Sequence, residues 1–393
     1  MSEAPTRADV LVIGGGIVGS SVAYHLLKDG RGGDVVVVEP DPAYARASTS
    51  FANGGIRQLF SLPENIQMGQ FGLAFFAGFA EMMAFGGDKP DIGFKRGGYL
   101  MVSDAGGEAA MAANHRTQTA LGVRAELLDR AALKARFPSL RTDDVALAVH
   151  SPDDAWIDPA AALQGFRRKA RALGAIYVND RVATWLGDGG KATTVTLASG
   201  PTIAADAFVL AAGAWSGEVA AMIGLQLPVE PLSRETYFFR AAKRDIEPLP
   251  FVKTERHLGF RPEGAGFIGG APDWSRQGGW DFELSSGHFE DNVWPLLAHR
   301  VPAFETLKLE RAWAGHYERN TFDLTAIVGA WTGGLPNVYI ATGFSGHGVM
   351  HAPAAGRAIA ELILDGRYSS LDLAAFGYGR IAAGRPYREQ GII

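Results

Sequence analysis

Val10 to Ile13 is an uninterrupted apolar run that ends directly in Gly14, Gly15 and Gly16. That junction limits what the chain can fold into more than any other feature. An apolar strand without polar alternation belongs in a parallel sheet covered on both faces. Gly14, Gly16 and Gly19 have the spacing G-x-G-x-x-G. The first allows a tight turn, the second lets a pyrophosphate approach the backbone, and the third lets a helix pack closely on the strand. From Ile17 and Val18, the residues Val22, Ala23, Leu26 and Leu27 keep an apolar face as far as Gly30. Val35 to Val38 then returns as a second buried strand, closed by Glu39 and Pro40. Glu39 falls about 20 residues beyond the turn, where an acid accepts hydrogen bonds from ribose hydroxyls. Strand, turn, helix, strand and acid together read as a dinucleotide-binding unit.

The 393 residues suffice for two domains, and 47% apolar with 20% charged residues describes a globular chain. A net charge of -5 without a basic block argues against nucleic acid or an anionic membrane as partner. With no cysteine, the chain has no disulfide, thiolate nucleophile, iron–sulfur ligand set or cysteine-linked flavin. The opening residues lack an apolar signal core and no later run is long enough to span a bilayer, so the expected location is cytoplasmic. No His, Asp and Glu cluster has metal-ligand spacing, so no metal is expected.

Beyond Pro40 the stretch from Arg46 to Phe60 is rich in small and polar residues and reads as a ligand-facing loop. Ser48, Thr49 and Ser50 can donate to phosphate, and Asn53, Gly54 and Gly55 allow close approach to a flat ring. Pro63 to Phe85 reads as one long helix, and Asp158-Pro159 starts another. Val182 to Leu186, Thr193 to Leu197 and Thr202 to Ala204 suggest a small meander, and Phe208 to Ala211 is a core strand ending in Ala212, Gly213, Ala214 and Trp215. Val229 to Arg240, Phe251 to Phe260, Gly266 to Gly269 and Leu309 to Tyr317 read as strands of a second, antiparallel sheet. Val338 to Ala341 leads through a glycine loop into a helix from Val349 to Leu364, whose N-terminus is a second anion-attracting site.

Four blocks carry a family resemblance: GGGIVG with Glu39, STSFANGGIRQLFS at Ser48 to Ser61, LAAGAWS at Leu210 to Ser216, and ATGFSGHGVMHAPAAG at Ala341 to Gly356. In this order they resemble the FAD-dependent amine oxidoreductases, the family of D-amino acid oxidase, glycine oxidase, sarcosine oxidase and dimethylglycine dehydrogenase. The second block and the C-terminal third, with YERNTFDLTAIVG at Tyr317 to Gly329, look most like the branch of the FAD-dependent oxidoreductase domain protein tied to complex I assembly, and its bacterial relatives. The resemblance implies an α/β, two-domain fold of glutathione-reductase-like type: a Rossmann-like FAD-binding domain (residues 1–85, 145–225 and 325–393) and an antiparallel-sheet substrate domain (86–144 and 226–324). It also implies that Val182 touches adenine, that Ala212, Gly213 and Trp215 lie near the pyrophosphate, and that Gly315 lies near the flavin. The loop Gly343, Phe344, Gly346, His347, Gly348, Val349 and Met350 would meet the pyrimidine end of the ring.

Departures from the family pattern carry as much information. The relatives' cysteine attachment point near Gly315 and histidine in the early loop are both missing, so the resemblance implies noncovalent FAD. Of sarcosine oxidase's carboxylate clamp, Arg57 matches the arginine while Met350 replaces the lysine, and Tyr317 stands where glycine oxidase has an arginine. Arg261 and His351 are candidates for a second donor, with His347 and Tyr317 as further active-site candidates. The oxygen-activating lysine falls at Ile268, which favours a dehydrogenase over an oxidase. The implied reaction is hydride transfer from the carbon beside a small amine (N-methyl or D-amino acid type) to flavin N5, with hydrolysis of the imine and electrons passed to oxygen or a redox carrier. The alternatives are a flavin-bearing assembly protein without turnover, or an NAD(P) dehydrogenase built on the first motif.

Overall fold

In the computed structural model, residues 4–242 and 246–391 are described. Residues 1–3 and 392–393, at the ends of the outlined FAD-binding domain, and 243–245, within the outlined substrate domain, lie outside them. Arg7–Ile13 is the centre of an eight-stranded sheet, paired in parallel with Val35–Val38 on one side and Thr202–Leu210 on the other. Ile176–Val178 extends the first side, Val338–Thr342 the second, and Ile327–Ala330 closes that edge antiparallel. Every residue of Val35–Val38 is buried, as expected for a strand covered on both faces. The third meander strand and the core strand expected after it are one continuous strand, Thr202–Leu210. A single extended segment satisfies the hairpin at one end and the parallel ladder at the other.

The helix Ile17–Leu27 is buried along its whole length. It lies between the sheet, the helix Pro159–Ala172 and the long helix Gly348–Asp365. Small residues permit that crossing: a Cβ on Gly356 would lie 2.3 Å from Ser21 Oγ. The long helix expected from Pro63 is interrupted. Pro63–Ala77 ends at Gly78, whose N–H reaches the carbonyls of Ala74 and Phe75, and Phe79–Met82 continues as a short separate turn. Glycine's low helix propensity places the break there.

The second sheet also has eight strands, in the order Lys308–Asn320, Val229–Arg240, Gly266–Gly270, Gly259–Glu263, Phe251–Thr254, Tyr99–Ser103, Leu147–Ser151, Glu126–Leu128. It is antiparallel except where Phe251–Thr254 runs parallel to Tyr99–Ser103. The stretch read as one strand from Phe251 to Phe260 is two strands joined by a turn at His257, whose φ is 58°. Leu147–Ser151 belongs to this sheet although the sequence outline grouped it with the first domain. The longest pairing, Val229–Arg240 with Lys308–Asn320, turns alternate residues toward the first sheet. Leu232, Arg234 and Thr236 therefore share a face with Trp313, Gly315 and Tyr317, and the cavity lies against it.

Candidate functional site

One cavity of about 750 Å³ runs from Glu39 to the loop before the last long helix, a size typical of cofactor sites. Its first end is made of backbone. Gly14 has φ 102°, and a Cβ there would lie 2.4 Å from the Ala211 carbonyl oxygen. Gly19 does not line the cavity; a Cβ there would lie 1.9 Å from the Gly14 carbonyl oxygen, so its hydrogen lets helix and turn touch. Gly16 faces open space, with Thr49 Oγ1 at 3.9 Å as the only atom within 4 Å of an added Cβ. Glu39 accepts hydrogen bonds from the N–H groups of Gly15 (2.9 Å) and Asp41 (3.0 Å), which hold its carboxylate at the cavity edge. Burial raises its pKa while those two bonds oppose the rise.

Ile17, Val18, Pro40, Arg46, Ser48, Thr49, Val182, Ala212, Gly213 and Trp215 line the same end. Ser50 does not: its hydroxyl donates to the Tyr44 carbonyl at 2.8 Å and closes the loop on itself. Asn53, Gly54, Gly55, Gly315, Gly346, His347, Gly348, Val349 and Met350 line the other end. Phe344 is buried behind them, and Gly343, at φ 69°, turns the chain out of its strand. The free first-turn N–H groups of Gly348–Asp365 therefore open at the cavity.

These features fit FAD. The open space above Gly16 and the carboxylate at the cavity edge suit pyrophosphate and ribose, and the helix N-terminus suits the electron-rich end of a flavin. Residues 9–362 match the family described as FAD dependent oxidoreductase, DAO. The chain belongs to that family. It is 38% identical, over a 432-residue alignment covering 99% of this chain and 85% of the other, to "FAD-dependent oxidoreductase domain-containing protein 1" of Xenopus laevis. It is 27% identical to the glycine oxidase of Bacillus licheniformis, with 91% of this chain and 93% of that one covered. Among solved structures it resembles the L-proline dehydrogenase of P. horikoshii, with a TM-score of 0.86 and 29% identity over 98% of this chain and 100% of that chain. An antiparallel-rich second sheet covers the far end of the cavity, and FAD, not a nicotinamide nucleotide, is the family's cofactor.

At the flavin end the site is made of side chains. Arg57 is 1% exposed. One of its nitrogens donates to the Leu59 carbonyl at 3.1 Å and the other to His347 Nε2 at 3.0 Å, with its plane over Phe60 at 4.1 Å. Arginine can only donate, so Nε2 of His347 is the acceptor and the ring is neutral. Burial, then the charge of Arg57, pushes the His347 pKa well below its usual value. Tyr317 also lines the cavity, packed against Gly346, where an added Cβ would lie 2.6 Å from its ring.

The two candidates for a second donor lie elsewhere. Arg261 donates to the Asn53 carbonyl at 2.8 Å and pairs with Glu263, so it tethers the early loop to the second sheet outside the cavity. His351 sits one helical turn behind His347, against Phe60, and burial followed by the charge of Arg57 lowers its pKa to about 3. Both are structural neighbours of the site. Three cavity residues were not anticipated. Lys253 lines the cavity, and burial, then Arg57, pushes its pKa well below normal. Arg234 lines it from the paired strand, opposite Gly315. Glu318 accepts hydrogen bonds from Thr342 Oγ1 (2.7 Å) and the Gly343 N–H (3.1 Å), and burial raises its pKa to about 7 against those bonds. Alternation was the available signal: Lys253 follows Phe251 and Arg234 follows Leu232 at period two on strands whose other face is core. Ile268 lies outside the cavity, and Lys253, on a nearby strand, lies inside it. Among the described residues no helix is long and apolar enough to cross a membrane, and no group of His, Asp and Glu has metal-binding geometry.

Proposed function

We propose that this protein oxidises the C–N bond of a small primary or secondary amine that carries a carboxylate, of the N-methyl or D-amino acid type, to an imine that water hydrolyses. Bound FAD supplies the hydride acceptor. The observation that carries this reading is Arg57, a buried guanidinium held by Leu59 and His347 and without an ion pair among the described residues. Glu389 and Asp154 act on its charge without pairing with it, so a buried cation of this kind gains from a ligand that supplies an anion in contact. Arg57 holds the carboxylate and so orients the carbon beside nitrogen. Neutral His347 fixes the guanidinium without adding a competing charge. The N-terminus of Gly348–Asp365 stabilises negative charge developing at the adjacent end of the cavity, as an oxyanion hole does. In this reading the first sheet serves the cofactor and the second encloses the substrate.

The test is anaerobic mixing of the purified holoprotein with a panel of N-methyl and D-amino acids while the visible flavin band is followed. Bleaching by at least one amine, faster with carboxylate-bearing members than with their decarboxylated counterparts, is the expected result. If no amine bleaches the flavin, the reading is wrong. Rates of reoxidation by oxygen and by an artificial quinone acceptor then assign the natural class of electron acceptor.

A further inference from the structure

Arg57 is not the only guanidinium open to the cavity without a counter-ion. Arg234 lines it as well, half-buried on the strand that carries Leu232 and Thr236. The arginines around it are committed: Arg276 to Glu235, and Arg319 to Glu230. Arg234 has no such ion pair among the described residues. One of its nitrogens donates to the adjacent Ser233 carbonyl at 3.2 Å. Its guanidinium lies 5.5 Å from the ring of Tyr317 and 5.9 Å from that of Trp274. Across the sheet it faces Gly315, whose missing side chain makes room for Phe51 from the early loop.

Trp274 is 66% and Tyr317 37% exposed, so this cation stands toward the mouth of the cavity. Arg57, at 1%, stands at its floor. Tyr317 is common to both, with its ring beneath Arg234 and its hydroxyl within electrostatic reach of Arg57. Lys253 lines the cavity beside Arg57, whose charge, together with burial, disfavours a second cation there. A single carboxylate at Arg57 would leave the outer guanidinium, half-buried and acted on by Asp273 without pairing with it, with no anion in contact.

We infer that Arg234 binds a second anionic group, and that the substrate is an amino or N-alkylamino dicarboxylate with one carboxylate on Arg57 and the other on Arg234. The inference rests on the amine-oxidation reading of the site, but its test needs no turnover. The holoprotein is titrated with succinate, glutarate and adipate and with the matching monocarboxylates butyrate, pentanoate and hexanoate, and binding is read from perturbation of the visible flavin spectrum. The expected result is that at least one diacid binds ten-fold or more tighter than its monoacid. In Arg234→Gln that ratio collapses toward one, and in Arg234→Lys it recovers in part, because the charge returns without the planar fork. Equal affinity of diacid and monoacid in the unaltered protein, a ratio unchanged by Arg234→Gln, or no perturbation by either class overturns the inference. Should Arg234→Gln lose its flavin, the comparison in the unaltered protein still decides. Tight diacid binding without reduction by any amine would sink the proposed reaction and leave the anion site standing. Rapid reduction by monocarboxylic amines alone would do the reverse.

Discussion

The two ends of the cavity are built from different materials. Near Glu39 and Gly16 a ligand meets glycine turns and backbone N–H groups contributed by one continuous strand, turn and helix. Near Arg57 it meets charged and aromatic side chains from the early loop, two strands of the second sheet, the long paired strand and the last helix. The first end is built mainly on one short segment, and at Gly14 and Gly19 it tolerates no added atoms. The second is assembled from distant segments, and its cost is the burial of charge. The difference teaches that one cavity can fail in two ways, by steric clash at the nucleotide end and by unbalanced electrostatics at the ring end.

The largest expected effect separates packing from binding at the first end. Gly19→Ala places a Cβ 1.9 Å from a backbone oxygen that cannot move without breaking the turn, so it should destabilise the protein by roughly 3–5 kcal/mol. Gly16→Ala meets only Thr49 Oγ1 at 3.9 Å and should leave the apoprotein's melting temperature nearly unchanged while weakening FAD binding. Thermal melts with and without FAD distinguish the two, and equal losses in both variants would erase the distinction.

At the second end, Arg57→Ala should weaken substrate binding by about 2–4 kcal/mol, the worth of a charge-assisted contact in a desolvated site. Arg57→Lys should recover only part, since one ammonium does not reproduce the two-pronged donation to Leu59 and His347. Flavin content should stay near that of the unaltered protein; its loss in both variants would make Arg57 part of the nucleotide end's machinery instead.

A smaller effect tests the burial of charge directly. The Glu318 pKa in the folded protein, about 7, lies above its unfolded value of about 4.3. The unfolded state therefore loses its proton first as pH rises. Stability from this group is greatest below about pH 4 and declines as pH climbs to about 7, by on the order of 3–4 kcal/mol. Glu318→Gln should flatten that decline in denaturant titrations between pH 5 and 8. An unchanged slope would mean that Glu318 is solvated or charge-compensated.

The smallest effect probes the tether between the two regions. Arg261→Met removes the donation to the Asn53 carbonyl and the pairing with Glu263, and should cost about 1–2 kcal/mol of stability. It should leave the affinity for the best amine within a factor of about three, and a larger loss of affinity would return Arg261 to the substrate site.

Much of the first end could be read directly from sequence. Gly14, Gly16, Gly19 and Glu39 lie within one short segment, and each is required by a local conformation or a hydrogen bond whose geometry the spacing sets. Short-range patterning also placed Arg7–Ile13, Ile17–Leu27, Val35–Val38 and Gly348–Asp365 to within a few residues. Chain order alone did not reveal which side chains converge. Arg261 and Lys253 sit on adjacent strands of one sheet, yet the first turns to the Asn53 carbonyl and the second to the cavity. The register puts both on one face of the sheet, and they differ only in position along it: Lys253 lies beside Gly259 at the cavity, whereas Arg261, two residues further on, lies under the early loop. Ser50 likewise had the right chemistry for phosphate, and the loop's own closure onto Tyr44 engaged it first. The sequence by itself determined the dinucleotide turn, its acid, the unbroken apolar strands of the first sheet and the alternation of the second, because those follow from steric limits and burial within a few residues. Tertiary structure alone decided that Arg57, His347, Arg234, Lys253 and Glu318 share one cavity, because segments far apart in the chain come together only when both sheets bury their apolar faces.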